Sequence, residues 1–404
     1  MGKHLLLASF VLAALTAGCA STKPPMPVAE PAALPLNSFM RKWSVDIEPA
    51  AGGIAQLYVR EDRIFAYGNN GSVYVIQRDN GRLLHIDPIP GGLTNLHPPL
   101  LFKDRIVYPQ LNALQIYDRK TGSFQQTVRL ELAIRSNAVA TPSELFFGAD
   151  YPGGGRLVNL DMSREFFPVR WSLMFPDVAV SAAPAVQGDV VFAAGEDGKV
   201  AAVAIDNREA VWSFGFFETA GPIYGDLQVD DTGLYVASGD SKLYCINRSS
   251  GKVKWQYFAG VGLKATPAVT KDLVLEAVPD IGLVALEKGP PVVDGKGPQF
   301  DRKPRWTVAT GTQFLAEDST YVYVATVDQR IAAIDKKTGS PAFTSKENGF
   351  TAMAINTKDG IVFAATPDNK VIAVQSVPVS GTIGEIVRAD HSGLDAVILA
   401  RASN

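Results

Sequence analysis

The chain has 404 residues, with 38 Lys or Arg against 41 Asp or Glu, a formal net charge of −3 at pH 7. That balance offers no electrostatic footprint for nucleic acid. Length alone allows two or three domains. The 36 glycines and 26 prolines suit a chain of many tight turns, and no long helical period competes with them.

Residues 1–19 stand apart. Lys3 gives a positive start, 5–15 is an apolar run, and Thr16-Ala17-Gly18-Cys19 closes it. The run is too short to cross a bilayer as a permanent helix, so 1–19 is read as a cleaved export signal. The ending Leu15-Thr16-Ala17-Gly18-Cys19 resembles the bacterial lipobox, which implies a lipid on Cys19 as the mature N-terminus. The alternative is a plain signal peptide with an incidental Cys. In the lipoprotein sorting logic, Ala20 where Asp would retain the protein favours the outer membrane. Cys245 is then the one remaining thiol, with no internal partner, and core packing is its expected role.

Residues 20–39 contain five prolines. They are expected to be an extended tether, reaching on the order of 60 Å at about 3.1 Å per residue. Arg41-Lys42-Trp43-Ser44-Val45 reads as the outermost strand of a blade, as do 253–257 and 304–308.

The repeating unit is clearest at 234–257. Alternation predicts strands at 234–237 and 243–246, and a third at 252–257 carrying Trp255. The same column starts at Ile64, Ile106, Leu145, Val191, Leu234, Val274, Val322 and Val362, at intervals of 39 to 48 residues. Such spacing belongs to propeller blades rather than helical solenoids. Six residues after seven of these starts stands Asn or Asp, namely Asn70, Asn112, Asp197, Asp240, Asp280, Asp328 and Asp368, as a turn between the second and third strands requires.

The fold predicted over 40–380 is therefore an all-β, eight-bladed propeller of four-stranded antiparallel blades. Its last repeat lacks an outermost strand, and Trp43 with its neighbours supplies one from the N-terminus, removing two exposed sheet edges. Residues 381–404 hold two apolar pieces, 383–387 and 396–399, expected as an appended hairpin or a competitor for the closing position. Two Gly/Pro-rich insertions, 151–155 and 288–304, are expected as solvent loops.

Catalytic patterns are weak. His85 falls in a tryptophan column, His391 in the tail, and His97 at the start of an inner strand where it could face the central channel. Neither zinc or haem spacing nor a Ser/His/Asp grouping is present. Glu196, Asp197, Glu276 and Asp280 are expected as turn residues, not ligands.

The runs Asp335-Lys336-Lys337-Thr338-Gly339 and Asp118-Arg119-Lys120-Thr121-Gly122 resemble the quinoprotein-type (PQQ-like) repeat. That resemblance implies a turn glycine at positive φ and a tryptophan docked between blades. Trp43, Trp171, Trp212, Trp255 and Trp306 fill the tryptophan column, and His85, Gln126 and Phe343 replace it elsewhere. A lipoprotein made of one such propeller resembles the BamB-type accessory lipoproteins of outer-membrane β-barrel assembly, the nearest local likeness being Val180-Ser181-Ala182-Ala183-Pro184-Ala185 and 195–203.

The resemblance implies a non-catalytic scaffold without a cofactor, facing the periplasm. Its protein partner would be the barrel-insertion protein (BamA-like), and Phe175, Asp177 and Val178 would occupy the family's docking position. The loops before inner strands, at 94–97, 135–137, 177–181, 218–221, 262–264 and 311–313, would form the binding face. The family's Leu-Arg-Gly-like docking loop is here Phe175-Pro176-Asp177-Val178-Ala179-Val180, without the Arg. Two alternatives stay open: an adaptor of another cell-envelope complex, and a PQQ-dependent dehydrogenase-like protein. The latter would need a cofactor stacked on Trp, Ca²⁺ on oxygen ligands and an Asp base.

Overall fold

The computed structural model describes residues 38–48, 51–92, 96–164, 169–289, 292–294, 297–377, 386–388 and 396–398. The export signal, Cys19 and the tether up to residue 37 lie outside the described residues, as does most of the tail.

Eight antiparallel sheets follow one another along the chain: blade 1 (54–88), blade 2 (100–129), blade 3 (133–176), blade 4 (185–218), blade 5 (228–258), blade 6 (268–308), blade 7 (311–344) and blade 8 (352–377). Each has four strands, except that the innermost position of blade 3 is split into Ala133–Ile134 and Val139–Ala140. Blade 8 takes its outermost strand, Ser38–Asp46, from the N-terminus, antiparallel to Lys370–Val377 with Ser38 opposite Val377 and Trp43 opposite Ala373. This is the predicted ring closure. In the tail, Ile386–Arg388 pairs with Ala396–Ile398.

The second and third strands explain why the repeats read as nearly unbroken apolar runs. Arg63–Gly68 is buried at every position and Ser72–Gln77 at its four central ones. Both faces of each blade are covered by neighbouring blades, so both side-chain parities must be apolar. Outermost strands return to alternation, as in Val253–Phe258, where Trp255 and Tyr257 point inward. The core accordingly falls into eight slabs, one per seam: Ile64 and Tyr74 meet Phe363 and Val371 at the 8–1 seam, and Tyr235 and Trp255 meet Val274 and Val284 at the 5–6 seam.

Each tryptophan ties one blade to the next. Their Nε1 atoms donate to the backbone oxygens of Arg78 (from Trp43, 3.0 Å), Ile205 (Trp171, 2.9 Å), Arg248 (Trp212, 2.7 Å), Lys288 (Trp255, 3.3 Å) and Lys336 (Trp306, 3.0 Å). The ring of Trp212 lies against the turn glycine of the next blade, Gly251. That residue has φ +69°, and a Cβ there would stand 2.7 Å from Trp212 Cδ2. Both the backbone and the space exclude any larger residue.

At several seams the residue that accepts the tryptophan also sends a cation to an acid of the preceding blade. Arg78 reaches Asp359 at 2.7 Å, Lys336 reaches Asp272 at 3.3 Å, and Lys288 pairs with Asp230. Arg119, at the tryptophan-free 1–2 seam, reaches Glu61 at 2.6 Å. At that seam His85 takes the ring's place beside Gly122. Its Nδ1 contacts the fully buried Asp87 at 2.7 Å and its Nε2 contacts Arg63 at 3.2 Å, while Tyr108 donates to Asp87 at 2.6 Å.

The two insertions are not simple solvent loops. Gly154 and Gly155 let the chain after blade 3 pass close by: a Cβ on Gly155 would lie 2.7 Å from Val180 N and 2.8 Å from Val178 O. The blade 6 insertion carries the paired strands Val292–Asp294 and Gly297–Gln299 and returns along the edge of blade 5. There Gln256 N donates to Phe300 O (2.8 Å) and Arg302 N to Gln256 O (2.6 Å).

Candidate partner-binding face

One end of the ring collects the turns between second and third strands and the connections between blades. The acidic and amide residues of those turns hold the face rigid. Asn70, Asp197 and Asp240 accept the backbone N–H two residues on, at 3.0 to 3.1 Å. Asp240 also accepts from Ala220 N of the preceding connection (3.1 Å), and Leu263 N donates to Ser238 O (3.0 Å). The connection after blade 4 is thereby clipped to the turn of blade 5, and the connection after blade 5 is clipped to that same turn.

The 176–184 connection shows what this does to the residues singled out from sequence. Phe175 is only 3% exposed; its ring packs with Phe146, Val191 and Ala201 in the 3–4 seam and meets Phe216 edge-on at 6.4 Å. The sequence reading offered Phe175 as a contact residue, but the seam between blades 3 and 4 needs an apolar plug at that place. Asp177 is exposed, in the left-handed region at φ +59°, with its N–H donating to Gly153 O at 3.2 Å. Val178 is half-buried, and its carbonyl accepts from Gly155 N. Ser181 donates to Glu196, and Glu196 N donates to Ala179 O at 2.9 Å, so the loop is tied to blades 3 and 4 at once.

Around this loop the face carries four exposed aromatic residues and one isoleucine. Tyr151, Phe216, Tyr224 and Ile281 are exposed, and Phe258 is 63% exposed. All five stand at second-to-third turns, in blade connections or at outer-strand ends beside them, across blades 3 to 6. Arg156 stacks on Tyr151 at 3.8 Å, stiffening the tip of the longest hairpin, Glu144–Tyr151 with Gly154–Asp161. Exposed aromatics clustered on a rigid rim are the usual composition of a protein-binding surface. Sequence reading passed over them because single exposed aromatics carry no periodic signal.

The acidic residues do not converge. Glu196, Asp197 and Asp280 do stand in turns, but Glu276 corrects the expectation made for it. It lies in the middle of strand Leu273–Val278, opposite Val284 and 0% exposed, with neither carboxylate oxygen bonded. Strand alternation puts it on the face shared with Val274 and Val278, packed on blade 5. Burial pushes its carboxyl well above the usual range. A signal existed, since the equivalent positions of the other repeats hold Ala66, Tyr108, Phe147, Ala193, Val236, Val324 and Ala364.

His97 is half-buried beside channel-lining Asn137. Its Nδ1 meets Asn137 Oδ1 at 3.2 Å, and burial holds its imidazole pKa below the usual value. Among the described residues, no three His, Cys, Asp or Glu are grouped as a metal site would need. All five tryptophans are committed to the seams by ring packing and Nε1 bonds, leaving none to stack on a planar quinone. The residues present do not fit that cofactor.

Comparison with known proteins agrees with this architecture. Residues 196–289 and 298–383 match a family model described as outer membrane protein assembly factor BamB. No curated protein sequence matches the chain. Many solved structures match the fold, among them the following two. BamB from Moraxella catarrhalis has a TM-score of 0.62 at 16% identity, covering 83% of this chain and 97% of that one. The computationally designed Ika8 protein has a TM-score of 0.60 at 15% identity, covering 82% and 98%.

Proposed function

We propose that this BamB-type propeller of PQQ-like repeats is a non-catalytic scaffold in the assembly of outer-membrane β-barrel proteins. On this reading it is lipid-anchored at Cys19 and faces the periplasm. The observation that carries the proposal is the match of blades 4 to 8 to the assembly-factor model, joined to a rigid aromatic rim across blades 3 to 6. A scaffold of this kind needs a surface that does not rearrange on binding, and the clipped connections supply one. Asp177 and Val178 stand at the rim's edge and contact the partner, with Phe175 holding their loop from beneath.

The test is affinity capture from detergent-solubilised envelopes. The barrel-insertion protein should be recovered with the wild-type chain. Recovery should fall severalfold with Asp177→Arg or Phe258→Ala, both exposed positions. Capture of a different envelope assembly in its place would retire this reading in favour of another adaptor role. Cys19→Ser should abolish incorporation of radiolabelled palmitate; unchanged labelling would refute the anchor.

A further inference from the structure

The inner strands leave a cavity of about 950 Å³ along the ring axis, of the size that small-molecule sites occupy. At the end opposite the aromatic rim, where first-to-second turns emerge, Arg60 and Lys358 line it. Arg60 closes the strand Ile54–Arg60, and Lys358 stands between the first two strands of blade 8.

Arg60 is half-buried, its guanidinium 5.7 Å from the centre of the Tyr58 ring, and among the described residues it has no carboxylate partner. Its Nε donates to Pro99 O at 3.2 Å and its Nη1 to Val59 O at 3.0 Å; among the described residues nothing accepts from Nη2. The acids nearby are committed elsewhere. Glu61 pairs with Arg119 at 2.6 Å, Asp359 with Arg78 at 2.7 Å, and Asp226 accepts from Asn137 and from Ala183 N, each at 2.9 Å. By contrast Arg78, Arg119, Lys288 and Lys336, the cations of the seams, all have carboxylates. Burial pulls the Arg60 guanidinium below its usual pKa, and the neighbouring Tyr67 and Tyr58 offset this only in part.

A guanidinium held from behind by two carbonyls presents its Nη1/Nη2 edge as a fork, the geometry that matches a carboxylate. Among the residues that line the cavity with it, Tyr58, Val186, Val229 and Met353 supply apolar surface. We propose that this end of the channel binds a small organic carboxylate. The acid group takes the Arg60 fork, an apolar or aromatic body lies along the wall, and Lys358 attracts the anion at the mouth. The site lies away from the docking rim and stands whether or not the rim binds its partner.

The probe is 4-phenylbutyrate, titrated calorimetrically into the full chain, with 4-phenylbutylamine and inorganic phosphate as comparators. Phenylbutyrate should bind saturably, the amine should not bind, and phosphate should bind at least about tenfold more weakly. Arg60→Gln should weaken phenylbutyrate at least about tenfold, the scale of a charge-assisted pair. Lys358→Gln should weaken it roughly threefold, with the difference lost at high salt. Absence of saturable binding below about 10 mM, equal binding of the amine or phosphate, or an affinity indifferent to Arg60→Gln overturns the proposal. If Arg60→Gln does not fold, Lys358→Glu at an exposed position decides, since unchanged affinity in that variant overturns it equally.

Discussion

Replacing Glu276 with Met removes a carboxyl group that is 0% exposed and has no hydrogen-bond partner on either oxygen. A buried polar group left unbonded costs about 1–3 kcal/mol, and Met fills a similar volume without it. In acid, where the carboxyl is protonated in the folded and unfolded chain alike, the variant should therefore be more stable than wild type by about that amount, and its advantage should grow toward neutral pH. The pH dependence identifies the cause. Burial raises the folded-state pKa of Glu276 well above its unfolded value, so the folded chain keeps a proton that the unfolded chain releases. Wild-type stability from this group is then complete below the unfolded pKa, about 4.3, and is lost as pH rises toward the folded one. The slope in that window is about 1.4 kcal/mol per pH unit. Urea midpoints of both proteins across pH 4 to 8 give the measurement: the gap should widen from acid to neutral. A gap that is constant with pH, or a variant less stable at pH 7, would mean that Glu276 has a partner in solution and refute the reasoning.

Gly251→Ala forces a Cβ to 2.7 Å from Trp212 Cδ2 at φ +69° and should cost more than about 1 kcal/mol, seen as a lower urea midpoint. An unchanged midpoint would show that the tryptophan dock does not set the blade spacing. Arg78→Ala breaks the pair between buried Arg78 and partly exposed Asp359 and should cost about 1–3 kcal/mol. Burial pushes the Asp359 carboxyl up, but bonds from Arg78 and Asn356 outweigh it and hold the pKa below its usual range. That stabilisation is present above the unfolded carboxylate pKa and is lost as pH falls through the lower folded value. The difference between wild type and Arg78→Ala should thus shrink on acidification below about pH 4, and growth there would contradict it. Deleting residues 38–46 uncovers the edge of Lys370–Val377 and part of the 8–1 slab. Light scattering should show self-association, and a monodisperse species of unchanged stability would count against strand closure.

Blade number and ring closure were legible because they rest on periodicity and on one residue type in one column. Eight starts at similar spacing leave few architectures, and Trp43 ahead of the first repeat has one place to go. What stayed hidden depends on contacts between distant stretches. The loop position of Phe175 suggested contact with a partner, while its burial is set by Phe146, Val191 and Ala201 from two blades. Glu276 was grouped with turn acids by proximity in sequence, and only strand register shows it inside a seam. Arg60 gave no sequence signal, because lacking a carboxylate is a property of its surroundings.

The closing strand has a consequence for timing. Ser38 to Asp46 must wait, unpaired, until residues 370–377 have been made and delivered. Until then the nascent chain is a curved ribbon with two sticky borders, and Trp43 has neither Phe363 beside it nor a completed seam to enter. Final latching is thus a long-range event, slow by topology, and in the interval the chain depends on whatever shields it from its neighbours.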